Sequence, residues 1–390
     1  MLLGTKNAKK WSLIGVMTLF LLLNSLGLSC GIGGNKEPVL TPVDTAMPTL
    51  AATRRKPTPR PVATFPVLTP TLAPSPTPPP GTEGTSWQIA AISVEGGDCN
   101  DLAFNPDASV LAIAARDKFV RLMDPVTSAV VRTLVGHTGA VNQVAFAPSG
   151  SWLLSAADDG TLVRWDAASG ARLVVLGDST SGKVTSLDIS PNEELIASSS
   201  GVGVVNVWNA TTSALNFKLT DHLAPISGLS FSPTGAQVAS SALNGIIVLA
   251  PVNGSPGEEF ARDPDPVQDV IYTDANHLVT ANKSGVWVWD LTSGAALVLE
   301  PVPSVGAVDK LAISSDGALL AALARDGTVW VWNLADLSLR AAIPSGGGRL
   351  LSLAFSPICD ACPTAPGWML AIGGEDGRVW LWGIRNKPSG

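Results

Sequence analysis

"GHTGAVNQVAFAPSGSWLLSAADDGTLVRWD" occupies residues 136–166. Within it, VNQVAF, WLLSAA and TLVRW carry aliphatic, β-branched and aromatic side chains in runs of strand length, while APSGS and DDG between them are built of turn formers. Connections this short join antiparallel neighbours. The stretch therefore reads as most of one small sheet, which needs other sheets to cover it.

The chain supplies them. The first run returns as CNDLAF (99–104), VTSLDI (184–189), ISGLSF (226–231), VQDVIY (267–272), VDKLAI (308–313) and LLSLAF (350–355). With VNQVAF these are seven anchors about 42 residues apart, a period characteristic of stacked repeats. After each anchor come an SP-x-G turn or a relative, a short strand such as LLSAA or LIASS, a turn such as DDG, RDG or EDG, and a strand ending VRWD, VNVWN or VWVWN. Three copies of that last strand, VWVWDL (286–291), VWVWNL (329–334) and VWLWGI (379–384), are apolar on both faces. A strand with one wet face would alternate, so both sides of these sheets must be covered.

The pattern resembles the WD-repeat β-propeller family over residues 86–390, with Gly136-His137 and Trp165-Asp166 as the two signature dipeptides. The resemblance implies an all-β, seven-bladed propeller of four-stranded antiparallel blades. Valines of the doubled motif should face one neighbouring blade and tryptophans the other. The last unit stops after its third strand at VWLWGIRN, while WQIAAISVEG (87–96) precedes the first, so this N-terminal segment is expected to close blade seven as its outer strand. Carried over by position, His137, Ser155, Asp159 and Trp165 match the family's structural hydrogen-bonded tetrad. Other blades depart from it: blade six has Ala322 at the Ser/Thr position, blade four lacks the tryptophan, and blade one has Met123 there.

The first 85 residues are a different material. Lys6, Lys9 and Lys10 precede WSLIGVMTLFLLLNSLGLSC, a basic region followed by an apolar run that ends at Cys30. It resembles a bacterial lipoprotein signal peptide, residues 1–29, with Gly27 where leucine is commonest, and this implies a lipidated Cys30 and an extracytoplasmic mature chain. An uncleaved membrane anchor is the other reading of the run. Residues 30–85, including TPRPVATFPVLTPTLAPSPTPPPGTEGT, are Pro- and Thr-rich with few large side chains. Such a segment cannot bury enough surface to fold and is expected to be a disordered, partly polyproline stalk reaching on the order of 170 Å.

Catalytic signatures are scarce. Two of the three histidines, His137 and His222, occupy equivalent loops before an anchor and read as structural. GDSTSGKV (177–184) approaches a phosphate-binding loop, but Val184 replaces the required hydroxyl and a strand follows instead of a helix. RDPDPVQD (262–269) fits no calcium loop and reads as a rigid turn. Cys99 stands where other anchors have Val or Ile, which suits a buried free thiol, and Cys359 with Cys362 in SPICDACPTAPGW suits a loop-pinning disulfide. No metal or cofactor is expected. The net charge is −7, and only three of the 32 acidic residues precede residue 86 against eight of the 25 basic ones. The repeats are thus the more acidic part, which disfavours nucleic acid.

The expected function is a membrane-tethered, monomeric binding scaffold for a protein, peptide or glycan. Its candidate binding residues are Trp287, Trp330 and Trp380, standing where the family usually has Lys or Arg, and the rim residues Asn100, Asn142, Gln268 and Asp309. The tryptophans are expected to be wetter than Trp289, Trp332 and Trp382. Two alternatives stand beside this: a structural role in envelope assembly, resembling an eight-bladed propeller lipoprotein that assists outer-membrane barrel insertion, and a propeller hydrolase or lyase with its site in the central channel. The lipid anchor is checked directly, since metabolic labelling with a fatty-acid analogue should tag the wild type and not Cys30→Ser. Equal labelling of both contradicts it.

Overall fold

Each anchor becomes the first strand of a sheet. The computed structural model describes residues 86–93, 97–177, 182–299, 307–344, 348–358 and 367–385. Among them, 28 strands form seven four-stranded antiparallel sheets. The seven inner strands are Cys99–Phe104, Val141–Phe146, Val184–Ile189, Ile226–Phe231, Val267–Tyr272, Val308–Ile313 and Leu350–Phe355, and they define blades one to seven. Each inner strand lies beside those of the blades before and after it, blade seven beside blade one, so the sheets close into a ring. The Cys30 anchor, the stalk and the Cys359–Cys362 pair lie outside the described residues.

In blades one to six the chain runs outward through four consecutive strands. Blade seven is assembled from both ends of the repeat region: its inner three strands come last in the chain, and its outer strand is Ser86–Ser93. That strand pairs antiparallel with Arg378–Arg385, Trp87 opposite Gly383 and Ala91 opposite Trp380. The expected closure is therefore present, and it joins the two ends by backbone hydrogen bonds.

The doubled motif works as a two-sided seam. Val286 shares a cluster with Leu320, Trp330 and Trp332 of blade six, while Trp289 packs back against Ile247 and Leu249 of blade four. Val329 and Val331 likewise meet Leu353 and Trp380 of blade seven, and Val379 and Leu381 meet Leu111, Ile113 and Met123 of blade one. Valine or leucine faces forward and tryptophan faces back, so one strand fills two interfaces. Burial of this kind, about 25 cal/mol per Å² of apolar surface, is the main force holding blade to blade.

Turns between first and second strands need a left-handed residue. Gly150, Gly235 and Gly317 supply it at φ 71°, 70° and 69°, and Ala108 and Glu193 hold the same conformation in blades one and three at φ 60° and 58°. Cys99 is fully buried and its thiol is pushed up to about 12, chiefly by burial, which makes it inert packing.

Deletion of residues 86–96 exposes the outer edge of blade seven. The melting temperature, followed by far-UV circular dichroism, should fall by about 5 °C or more. An unchanged melt would mean that the ring closes by some other contact.

Candidate functional site

Blade two brings four polar side chains together from its entry loop, second strand, turn and third strand. His137 Nδ1 lies 3.0 Å from Asp159 Oδ2, and His137 Nε2 lies 2.7 Å from Ser155 Oγ, which also receives the Trp165 Nε1–H at 2.8 Å. Burial holds the His137 imidazole below its ordinary value despite the neighbouring carboxylate. The ring is therefore neutral at pH 7, with Nδ1–H donating to Asp159 and Nε2 accepting from Ser155. Burial works to raise Asp159, but hydrogen bonds from Thr161 and from the Thr138 N–H, with His137 beside it, hold it down at about 2.

A serine, histidine and aspartate in this order have the connectivity of a catalytic triad. Here they cannot act as one. Ser155 is 0% exposed and its oxygen is engaged by both His137 and Trp165, so no acyl group can reach it. The set is a clip that ties loop to strand.

The clip is rewired elsewhere. Blade three keeps Trp208 donating to Ser198, and blade four keeps His222 against Ser240 at 2.8 Å, while the buried Nδ1 of His222 has no partner among the described residues. Blade five has Asp263 in the histidine's place, bonded to the Asn282 amide, while Trp289 donates to Thr280. The run RDPDPVQD thus supplies a buried structural carboxylate.

Polar side chains on the inner strands stitch blades one to five to the blade that follows, and blade seven to blade one. Asn100, Asn142, Thr185 and Ser227 donate to the carbonyls of Val141, Val184, Ile226 and Val267, at 2.8, 2.9, 3.2 and 2.7 Å. A second row accepts from the following blade: Asp101 from the Val144 N–H, Gln143 from Leu187, Asp188 from Phe231, Ser230 from Tyr272 and Asp269 from Leu311. Ser352 of blade seven donates to the Cys99 carbonyl of blade one at 2.9 Å. Every inner strand has a β-bulge at its second residue, for example between Val141 and Gln143. The bulge turns the second and third side chains toward the same neighbour, which is why Asn100 and Asp101 both reach blade two.

The channel holds charged side chains beyond the rim residues named from the sequence. The structure adds Asp101, Asp188, Asp269 and Lys310. Burial pushes Asp101 up to about 7 and Asp188 to about 6, and it raises Asp269 as well. Lys310 counters burial through Asp269 and Asp101, which together lift its pKa.

The candidate binding residues are also placed differently. Asn100 and Asn142 are spent on the stitches, and Asp309 is held by Arg325 of its own blade at 2.6 Å. Gln268 is half-buried at the same rim. Trp330 is 2% exposed and Trp380 8%, so no wet aromatic arc forms. Trp287 and Trp289 are both half-buried and stacked at 6.0 Å. The cause is the two-residue spacing, which sends both rings of a doublet into the seam with the preceding blade. There the indole N–H groups of Trp287 and Trp330 find no acceptor, a cost outweighed by the area the rings bury.

Three other exposed apolar side chains cluster elsewhere on that rim, apart from those along the outer strands such as Val131 and Leu173. Leu223 is 95% exposed and Val202 73%, with Leu243 beside them at 43%. They are neighbours by construction: a Cβ on Gly203 would lie 2.8 Å from the carbonyl oxygens of His222 and Ala224, and the Leu243 N–H donates to Pro225 O at 3.1 Å. The loop entering blade four is thus gripped between the turns of blades three and four. Three aliphatic side chains stand around it. Lys183, paired with Asp158 at 2.8 Å, borders them through a bond from Gly201. Sequence alone offered no signal for this patch, since each residue is a single apolar side chain in a polar loop.

Residues 128–166, 170–209, 214–249 and 303–333 match the family described as WD domain, G-beta repeat. The chain is 28% identical to the Periodic tryptophan protein 2 of Arabidopsis thaliana over 51% of this chain and 23% of that protein. It is 30% identical to an uncharacterized WD repeat-containing protein of Synechocystis over 43% of this chain and 49% of the relative. A target of rapamycin complex subunit of Schizosaccharomyces pombe is 26% identical over 61% of this chain and 65% of its own length. The chain thus spans about a quarter and about half of the first two relatives. The described residues fold as a seven-bladed propeller, and the four matched segments are similar to WD repeats.

Ser155→Ala strips the His137 and Trp165 nitrogens of their shared partner inside a sealed site. Urea unfolding should show a loss of about 1–3 kcal/mol, the cost of buried polar groups left unsatisfied. A loss too small to measure would show that the clip does not hold the blade.

Proposed function

We propose that this protein is a membrane-tethered, extracytoplasmic scaffold whose propeller docks a protein partner on the rim formed by blades three and four. The exposed trio Val202, Leu223 and Leu243 carries the reading. Apolar side chains this exposed on a rigid frame cost solubility unless something covers them, and an apolar centre bordered by charge, here Lys183 with Asp158, is the anatomy of a protein interface. The patch is aliphatic, so it suits the apolar side chains of a peptide or loop better than the face of a sugar, which favours aromatic platforms. The basic, apolar leader ending at Cys30 and the Pro/Thr-rich segment after it support a propeller held off a membrane by a lipid-anchored stalk.

An enzymatic role is disfavoured by where the reactive groups are spent: Ser155 and His137 are sealed in the clip, and the channel carboxylates accept backbone N–H groups. Affinity capture from solubilised envelopes, comparing wild type with Leu223→Asp and Val202→Asp, tests the docking. A partner retained by wild type should be lost by both variants, with stability changed by no more than about 1 kcal/mol. Capture at wild-type level by both variants overturns the proposed surface.

A further inference from the structure

The opposite end of the channel, where the inner strands finish, holds a cavity of about 350 Å³. Its wall is Phe104, Phe146, Phe355, Ile189 and Ile313, with Pro106 and Pro148 at the mouth. Space exists there because the fifth inner-strand residue is alanine in four blades, at Ala103, Ala145, Ala312 and Ala354. At the same position blade three places Asp188, the cavity's one carboxylate.

Asp188 differs from the other channel carboxylates in having no cation. Asp101 and Asp269 share Lys310, whereas among the described residues no lysine, arginine or histidine pairs with Asp188. Its Oδ1 accepts from the Ile189 N–H at 2.8 Å and its Oδ2 from the Phe231 N–H at 2.6 Å. Each oxygen keeps a lone pair, and both backbone donors hold the carboxylate rigidly in place. A charge surrounded by apolar wall with no counter-ion is costly, and buried charges in proteins are ordinarily paired. Burial accordingly lifts the group to about 6.

We propose that this cavity is a binding site for a protonated amine on an apolar body, with Asp188 as its counter-ion and Phe104, Phe146 and Phe355 as its walls. Aromatic faces attract a cation as well as an alkyl or aryl group, so the wall and the carboxylate select the same ligand. A metal ion is a poor match for one carboxylate among phenylalanines, and no cluster of three or more metal-binding side chains occurs among the described residues. The amine can belong to a small molecule or to the lysine side chain of a peptide. The site lies at the other end of the channel from Leu223, so its fate is independent of the docking rim.

Ligand-observed NMR titration of the full chain distinguishes the possibilities, using phenethylamine, the neutral phenethyl alcohol, and an acetylated, amidated lysine peptide with its norleucine counterpart. Wild type should bind phenethylamine at least about tenfold more tightly than the alcohol, a difference of about 1.4 kcal/mol. Asp188→Asn keeps an acceptor for the backbone and should erase that preference. Ala145→Leu, which fills the cavity and leaves the carboxylate, should weaken amine and alcohol alike. Tighter binding of the lysine peptide than of the free amine assigns the cation to a partner's side chain, and the reverse assigns it to a small molecule. Equal binding of amine and alcohol by wild type overturns the proposal, as does an amine preference that survives in Asp188→Asn, or binding unaffected by Ala145→Leu.

Discussion

Seven inner strands stand side by side around an axis and do not pair with one another. Everything else in the molecule answers that constraint. Backbone groups on the inner edges have no sheet neighbour, and leaving them unsatisfied inside the ring would cost more than the fold can spare. The sequence solves this with side chains that reach one blade forward, Asn100 and Asp101 into blade two, Asn142 and Gln143 into blade three, and so on to Ser352 into blade one. These stitches all run in the same direction, from blades one to five into the blade that follows and from blade seven into blade one.

Within a blade the chemistry is far less uniform. Blade two has the full set of His137, Ser155, Asp159 and Trp165, blade four has only a histidine–serine pair, and blade five substitutes Asp263 with Asn282. All three blades nevertheless have the same four strands in the same order. The clip therefore tunes the stability of single blades, while forward stitches and apolar seams determine that there is a ring at all. The doubled tryptophans belong to the seams: in blades five to seven large rings fill the gap behind each third strand, where blade two makes do with Val163 and Trp165.

This division of labour bears on function. Groups that look reactive in a one-dimensional reading, such as a serine–histidine–aspartate set and carboxylates lining a channel, are bound into the frame. Each end of the frame keeps one feature the ring does not use: an aliphatic rim around Leu223 at one, and an apolar pocket beside Asp188, a carboxylate with no cation, at the other. A rigid body with two distinct unsatisfied surfaces is suited to holding other molecules in position.

The number of blades, the four-strand unit and the closing strand were legible in the sequence, because each is a matter of period and alternation: seven anchors, apolar runs at strand spacing, and a third strand at the C-terminus lacking a fourth. The sorting of valines and tryptophans to opposite neighbours followed from the same two-residue period. The residues of the blade-two clip could be named by position from the resemblance to WD repeats. The destination of the polar inner-strand side chains could not, since it depends on a bulge at each second residue that carries no composition signal and turns two consecutive side chains the same way. Nor could the exposure of Trp330 and Trp380, which depends on how closely the preceding blade approaches. Local pattern determined which strands exist and which faces are apolar. Only the packing of the ring decided which polar groups would be consumed in holding it together and that one of them, Asp188, would do so with no cation beside it.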